Sequence, residues 1–91
     1  MQLRWTQEAA HDLEHIADYL FEHAPANAED MVREIYQAPA ALLQFPHRGR
    51  PGRKQGTREM VLSVRPYIVI YRLSGEVVQV VRILHAAQKW P

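Results

Sequence analysis

The spacing of the apolar residues changes near the middle of this chain of 91 residues, and this change constrains the fold more than any other feature. Before Leu43, apolar residues recur mostly every three or four positions, as they do on one face of an amphipathic helix. From Thr57 onward they alternate with polar residues or form short β-branched and aromatic runs, which is typical of strands. A chain of this length is expected to form one domain, here residues 1–91.

The first half of the chain is predicted to form a short strand and a helical hairpin. Residues 2–5 alternate apolar and polar side chains, as a strand does. Thr6 is a favourable N-cap for a helix over 7–23. A second helix is predicted over 27–44, and Pro39 inside it should kink it or end its regular part.

The second half is predicted to form an exposed loop and three strands. The loop covers 46–56, where glycine and proline are frequent. Strands are predicted over 57–65, 67–73 and 77–84, with a tight turn at Ser74-Gly75. The predicted order is β-α-α-β-β-β, an α+β fold with a helical hairpin packed on one face of a small, mostly antiparallel sheet.

The last predicted strand carries apolar side chains on both faces. The two alternating sets are Val78, Val80 and Leu84, and Val77, Val81 and Ile83. A strand of this kind should be covered on both sides. The helices can cover one face, so the other indicates a binding partner.

Charge is strongly segregated along the chain. Residues 1–46 hold two arginines and eight carboxylates, a net charge of −6. Residues 47–72 hold seven basic residues and one glutamate, a net charge of +6. Four of these cations lie in the predicted loop: Arg48, Arg50, Arg53 and Lys54. They could bind phosphates or acidic side chains of a partner, and the alternative is a solvated basic loop without a ligand.

Composition excludes several classes of protein. Hydrophobic residues make up 47% of the chain, which is too many for a disordered protein. The absence of cysteine excludes a disulfide framework and a thiolate zinc site. No apolar run approaches the length of a membrane span, and acidic residues occupy the place of a signal-peptide core. We therefore expect a cytoplasmic protein that does not bind membranes.

His11, Glu14 and His15 match the H-x-x-E-H pattern of some zinc peptidases. The two histidines lie one helical turn apart, but the sequence offers no evident third ligand. We interpret the pair as a chance arrangement on a polar helix face, so no metal site is predicted.

Particular residues, in the predicted order of elements, resemble the RelE/ParE superfamily of toxins from type II toxin–antitoxin systems. The resemblance spans nearly the whole chain and is carried by Trp5-Thr6, Ala9 or Ala10, Asp12-Leu13, Ile16, Tyr19, Phe45-Pro46, Gly49-Arg50-Pro51-Gly52, Gly56-Thr57-Arg58-Glu59, the run from Tyr67 to Arg72, Arg82-Ile83-Leu84-His85 and Trp90-Pro91. It implies a growth-inhibiting toxin that binds a cognate antitoxin in a hetero-oligomer and needs no cofactor.

The resemblance leaves the molecular target open, because the superfamily divides by target on a shared scaffold. ParE-like toxins inhibit DNA gyrase, whereas RelE-like toxins enter the ribosome and cleave mRNA. A third alternative is a decayed toxin that only binds its antitoxin and acts as a co-repressor. The residues must therefore distinguish these functions.

If the chain were RelE-like, its catalytic residues would be His85, Arg58, Arg65 and Glu59, which supply a base, cations and an acid for RNA cleavage. Two departures favour the ParE-like branch. Ile68 stands where many RelE-like toxins carry an arginine on the scissile phosphate, and Ala86 replaces an aromatic residue that often follows the terminal histidine. The net charge of +1 is also low for a ribosome-binding protein.

Overall fold

The computed structural model describes residues 1–64 and 66–91. Arg65, one of the predicted catalytic residues, lies outside the described residues. The elements in chain order are β1 (Gln2–Trp5), α1 (Gln7–His23), α2 (Ala28–Gln37), a 3-10 helix (Ala38–Leu43), β2 (Arg50–Pro51), β3 (Arg58–Val61), β4 (Tyr67–Ser74) and β5 (Val77–His85).

Within the described residues, one mixed sheet has the strand order β1-β5-β4-β3-β2. β1 runs parallel to β5, and the other neighbouring strands are antiparallel. The α+β class and the mostly antiparallel sheet are therefore confirmed. The sequence did not predict β2, because its two residues lie inside a loop rich in glycine and proline.

The helical hairpin follows the prediction closely. α1 has the predicted bounds, and the Thr6 side chain caps it by accepting a hydrogen bond from the Ala9 N–H at 3.0 Å. α2 ends at Gln37, and the chain tightens into the 3-10 helix around Pro39, which has no N–H to donate to the preceding turn. Among the described residues, no helix combines the length and the apolar character needed to span a bilayer.

The core lies between the helices and one face of the sheet. Its largest fully buried side chains are Tyr71, Ile35, Leu42, Ile83, Val69, Val78, Val80 and Pro39. Burying an aliphatic side chain of this size contributes about 1.5–3 kcal/mol relative to leaving it exposed. The hydrophobic effect on this face therefore holds the helices against the sheet.

β3 is shorter than the predicted strand over 57–65. The Leu62 N–H donates to the Tyr67 carbonyl at 3.0 Å, and the Tyr67 N–H donates to the Val64 carbonyl at 3.2 Å. These bonds turn the chain toward β4, so the ladder of β3 ends at Val61.

A β-bulge explains why β5 is apolar on both faces. Ile70 faces Arg82 in the β4–β5 ladder, but the next residue, Tyr71, faces Val80, so Val81 is the extra residue. The bulge reverses the alternation and places Val80 and Ile83 together in the core. The sequence-based groupings of Ile83 with Val81, and of Leu84 with Val78 and Val80, were therefore wrong.

α1 also closes the part of the β5 edge that β1 does not cover. The Thr6 hydroxyl donates to the Val81 carbonyl at 2.8 Å. Asp12 accepts from the Ile83 N–H at 2.9 Å and from the Arg82 guanidinium at 2.7 and 3.0 Å. The hydrogen bond to Asp12 raises the pKa of Arg82 above its ordinary value. We call these contacts between α1 and β5 the clasp. They supply hydrogen-bond partners to the Val81 carbonyl and the Ile83 N–H, which would otherwise lie at an exposed strand edge.

Candidate functional site: the open face of the sheet

The face of the sheet that points away from the helices is here called the open face. Because side chains alternate along a strand, the ladders place on it Arg50, Glu59, Val61, Ile68, Ile70, Arg82 and Leu84. Arg72 belongs to the same face by the same alternation. The open face therefore combines an apolar strip with cations.

The apolar strip is covered although no helix lies over it. Ile70 is 2% exposed and Leu84 is 5% exposed. Both line a cavity of about 120 Å³ together with Arg50, Arg53 and the half-buried Trp90. The C-terminal segment that follows β5 thus contributes to the cover, and the second apolar face of β5 is shielded partly by the chain itself.

Glu59 is the buried carboxylate of this face. Its side chain is 9% exposed, and it accepts from Arg50 Nε and lies 3.1 Å from Arg50 Nη2 on the neighbouring strand. The Arg50 side chain is 61% exposed. Arg58 and Glu59 point to opposite faces, and Glu59 is neutralised by a cross-strand ion pair, as the alternation predicts.

Arg58 holds the basic loop against the sheet. Its Nη1 donates to the Gly49 carbonyl at 2.8 Å. The Tyr71 hydroxyl donates to the Pro46 carbonyl at 2.7 Å and accepts from the Gly49 N–H at 2.9 Å. A Cβ on Gly49 would lie 2.7 Å from that hydroxyl, so glycine is needed for the close approach. Sequence reasoning missed the role of Tyr71, because the partners of its hydroxyl are distant in sequence.

His85 ends β5 and borders two depressions, the cavity that Glu59 and Trp90 line and a groove beside α1. Its backbone N–H donates to the Gln88 side chain at 2.7 Å, and its Nδ1 accepts from the Ala87 N–H at 3.1 Å. It lines a groove of about 360 Å³ with Tyr19, Tyr67 and Gln88. Burial, and secondarily Tyr19, raise the pKa of Tyr67. The sequence did not indicate Tyr19 and Tyr67 as neighbours of His85, because they lie on α1 and β4, far away in the chain.

The structure gathers only part of the predicted catalytic set: Glu59 and His85 line the same cavity of about 120 Å³, and Arg58 does not. His85 faces Tyr67 in one ladder and Arg58 faces Tyr71 in another, which separates them by about 13 Å along the strands with β4 between them. Glu59 lies on the opposite face from Arg58. Among residues 1–64 and 66–91, Arg58 is therefore separated from the cavity of Glu59 and His85, whose cations are Arg50 and Arg53.

The basic loop keeps most of its charges available. Arg48, Arg53 and Lys54 are exposed, and none of them forms an ion pair with another described residue. Arg53 and Lys54 lie in the turn that joins β2 to β3. The eight carboxylates of residues 1–46 all lie on α1 or α2. The segregated charges of the sequence thus form an acidic layer on the two helices and a basic surface beside the open face. We call β2, β3 and the turn with Arg53 and Lys54 the basic hairpin.

His11 and His15 are exposed on α1. No group of three or more histidine, aspartate or glutamate side chains suited to a metal ion occurs in the described part of the chain.

Comparisons with known proteins agree with this architecture. Residues 3–90 match the family model described as the ParE toxin of type II toxin–antitoxin systems. A candidate toxin of Sinorhizobium fredii, Y4kP, is 41% identical over 90 residues, which cover 99% of this chain and 93% of the relative. Toxin RelE2 of Caulobacter vibrioides is 37% identical over 87 residues, which cover 96% of this chain and 97% of the relative.

Two solved structures are similar in fold. One belongs to a chromosomal ParDE system of P. aeruginosa, with a TM-score of 0.85, 31% identity, and coverage of 93% of this chain and 95% of the other. The second belongs to the RelBE2 toxin–antitoxin complex of Mycobacterium tuberculosis, with a TM-score of 0.59, 25% identity, and coverage of 96% and 92%. Family model, sequence relatives and fold agree, and the chain belongs to the ParE toxin family of type II toxin–antitoxin systems.

Proposed function

We propose that this toxin inhibits growth in the cytoplasm by binding DNA gyrase, and that it acts as a binding protein and not as a nuclease. It is neutralised when the cognate antitoxin binds it in a hetero-oligomer. The proposal follows the ParE-like branch of the resemblance and rests on the arrangement of the predicted catalytic residues.

The position of Arg58, outside the cavity that Glu59 and His85 line, is the observation that carries the proposal. RNA cleavage without a metal needs a base, a cation and an acid within reach of one phosphate. Here Glu59 is paired with Arg50, and Arg58 lies on the opposite face, bonded to a backbone carbonyl and about 13 Å along the strands from His85. This arrangement supports a role in binding over a role in cleavage.

The basic hairpin supplies the surface through which such a protein would dock. Arg53 and Lys54 are exposed beside the open face, and Arg48 and Arg50 extend the same positive region. A positive region of this kind attracts acidic side chains or phosphates and speeds encounter at low ionic strength. We assign these four residues to contacts with the target or with the antitoxin.

The test uses purified toxin that arrests growth when expressed. The toxin is added to gyrase with relaxed and with supercoiled plasmid, and supercoiling and trapped cleavage complexes are measured. The proposal predicts loss of supercoiling and trapped complexes. Normal gyrase activity in the presence of toxin that still arrests growth would overturn it.

Ribosome-dependent mRNA cleavage is the second candidate. His85 is exposed and lies edge-on to the Tyr67 ring, with ring centroids 6.0 Å apart, so an imidazole and a phenol are available at one groove. Under this alternative, the His85→Ala variant loses toxicity while antitoxin binding stays intact. A decayed toxin, the third alternative, predicts normal growth when the chain is expressed without its antitoxin.

A further inference from the structure

Part of the outer edge of β3 has no neighbouring strand among the described residues. β2 pairs with β3 only at Glu59 and Arg58. The Leu62 N–H points inward to the Tyr67 carbonyl. Because backbone groups of an antiparallel strand alternate in direction, those of Val61 and Ser63 point outward, beyond the end of β2. The Val61 side chain is 49% exposed, so this edge is also partly apolar.

A groove of about 370 Å³ runs beside this edge. Ala38 and Ala41 of the 3-10 helix line its wall, and their small side chains leave room for another backbone to approach. Exposed edges of this kind pair readily with another strand.

Two opposite charges also line the groove. The Ser63 hydroxyl donates to Glu34 at 3.0 Å, which places this carboxylate at the Ser63 end. Arg48 lines the groove on the side of Val61 where β2 ends, and its N–H donates to the Phe45 carbonyl at 3.0 Å, so its backbone does not pair with Val61. Arg48 is exposed and makes no ion pair with a described residue. The groove therefore has a cation near one outward-facing residue and an anion near the other.

We propose that this edge binds a second copy of the chain, with β3 antiparallel to β3 about a two-fold axis near Leu62. This pairing sets Val61 of one copy opposite Ser63 of the other. It also brings Arg48 of each copy toward Glu34 of the other copy, so the charged contact occurs twice. A two-fold interface must be complementary to itself, and a groove with one charge of each sign meets this requirement. The ladder is only a few residues long, so the dimer dissociates in the micromolar range or above.

The test measures the dissociation constant of the purified full chain by sedimentation over a wide concentration series. Arg48→Glu and Glu34→Arg are each expected to weaken the dimer by about tenfold or more, because each places like charges together. Combining the two reversals restores the attraction and should recover most of the affinity. Arg53→Glu, a charge reversal outside the groove, is the matched control and should leave the constant unchanged.

The proposal is overturned if the chain is monomeric at every concentration, or if the dimer is insensitive to both reversals. It is equally overturned if the reversals weaken only antitoxin binding, since the edge would then accept a peptide and not a second copy. Circular dichroism checks that each variant is folded. None of these outcomes depends on gyrase or on RNA cleavage, so the dimer and the proposed function are tested separately.

Discussion

The two faces of the sheet are closed by different kinds of interaction. On the helix-bearing face, Val69, Tyr71 and Val78 are fully buried in a continuous apolar core. On the open face, a narrow strip containing Ile70 and Leu84 is covered by ionic and aromatic side chains that belong to β2, to the turn after it and to the C-terminal segment. The first face is held by apolar packing and the second by polar groups that remain near water.

This difference separates stability from binding. Removing a side chain from the helix-bearing face leaves a cavity that the surrounding structure fills only in part, so the fold is sensitive there. The basic hairpin beside the open face tolerates change, because Arg53 and Lys54 make no ion pair with the described residues. The molecule can therefore vary its charged surface without altering its core.

The clasp between α1 and β5 should give the largest effect on stability. Asp12→Ala removes the acceptor of both Arg82 hydrogen bonds and of the Ile83 N–H. We expect the free energy of unfolding to fall by about 3 kcal/mol, because a largely buried guanidinium and an edge N–H lose their partner. Chemical denaturation measures it. Glu14→Ala, at an exposed position of the same helix, is the control, and an equal loss there would refute the clasp.

The anchor of the basic loop should give an intermediate effect. Tyr71→Phe removes one hydroxyl that serves both Pro46 and Gly49. The free energy of unfolding should fall by about 2 kcal/mol, since a buried N–H and a carbonyl remain without that partner. Tyr36→Phe is the matched control, because that ring is 60% exposed. The melting temperatures of both variants are measured by thermal unfolding. Equal melting temperatures would contradict the role of the Tyr71 hydroxyl in holding the loop.

The ion pair on the open face should give the smallest effect. Arg50→Ala leaves the Glu59 carboxylate buried without its partner, but the exposed arginine was already screened by water. We expect a loss of about 1–2 kcal/mol in the free energy of unfolding. Arg53→Ala in the adjacent turn should change stability by less than about 0.5 kcal/mol. A larger loss from Arg53→Ala than from Arg50→Ala would reverse the roles assigned to these two residues.

The sequence predicted those features that depend on neighbouring residues. The bounds of β1 and α1 and the Thr6 cap follow from local alternation, helical spacing and N-cap chemistry. The bulge at Val81 could not be predicted, because apolar residues on both faces of β5 are compatible with either register. The Arg50–Glu59 pair needed β2, a strand of two residues without a periodic signal.

The candidate site was predicted in its composition and not in its geometry. Arg58, Glu59 and His85 were identified from the resemblance, but which of them share a cavity depends on which strands are neighbours. Because Arg58 and Glu59 are adjacent in a predicted strand, we expected their side chains to point to opposite faces. That part of the prediction was confirmed. The proximity of His85 to Tyr67 and Tyr19 arises from long-range packing that no local pattern encodes.

The most direct test of binding against cleavage compares two variants in cells that lack the antitoxin. One is His85→Ala, and the other combines Arg53→Glu with Lys54→Glu. Growth is measured after induction, with expression matched and folding checked by circular dichroism. The account predicts that His85→Ala still arrests growth and that the double charge reversal relieves the arrest. Relief by His85→Ala together with full toxicity of the double reversal would contradict it.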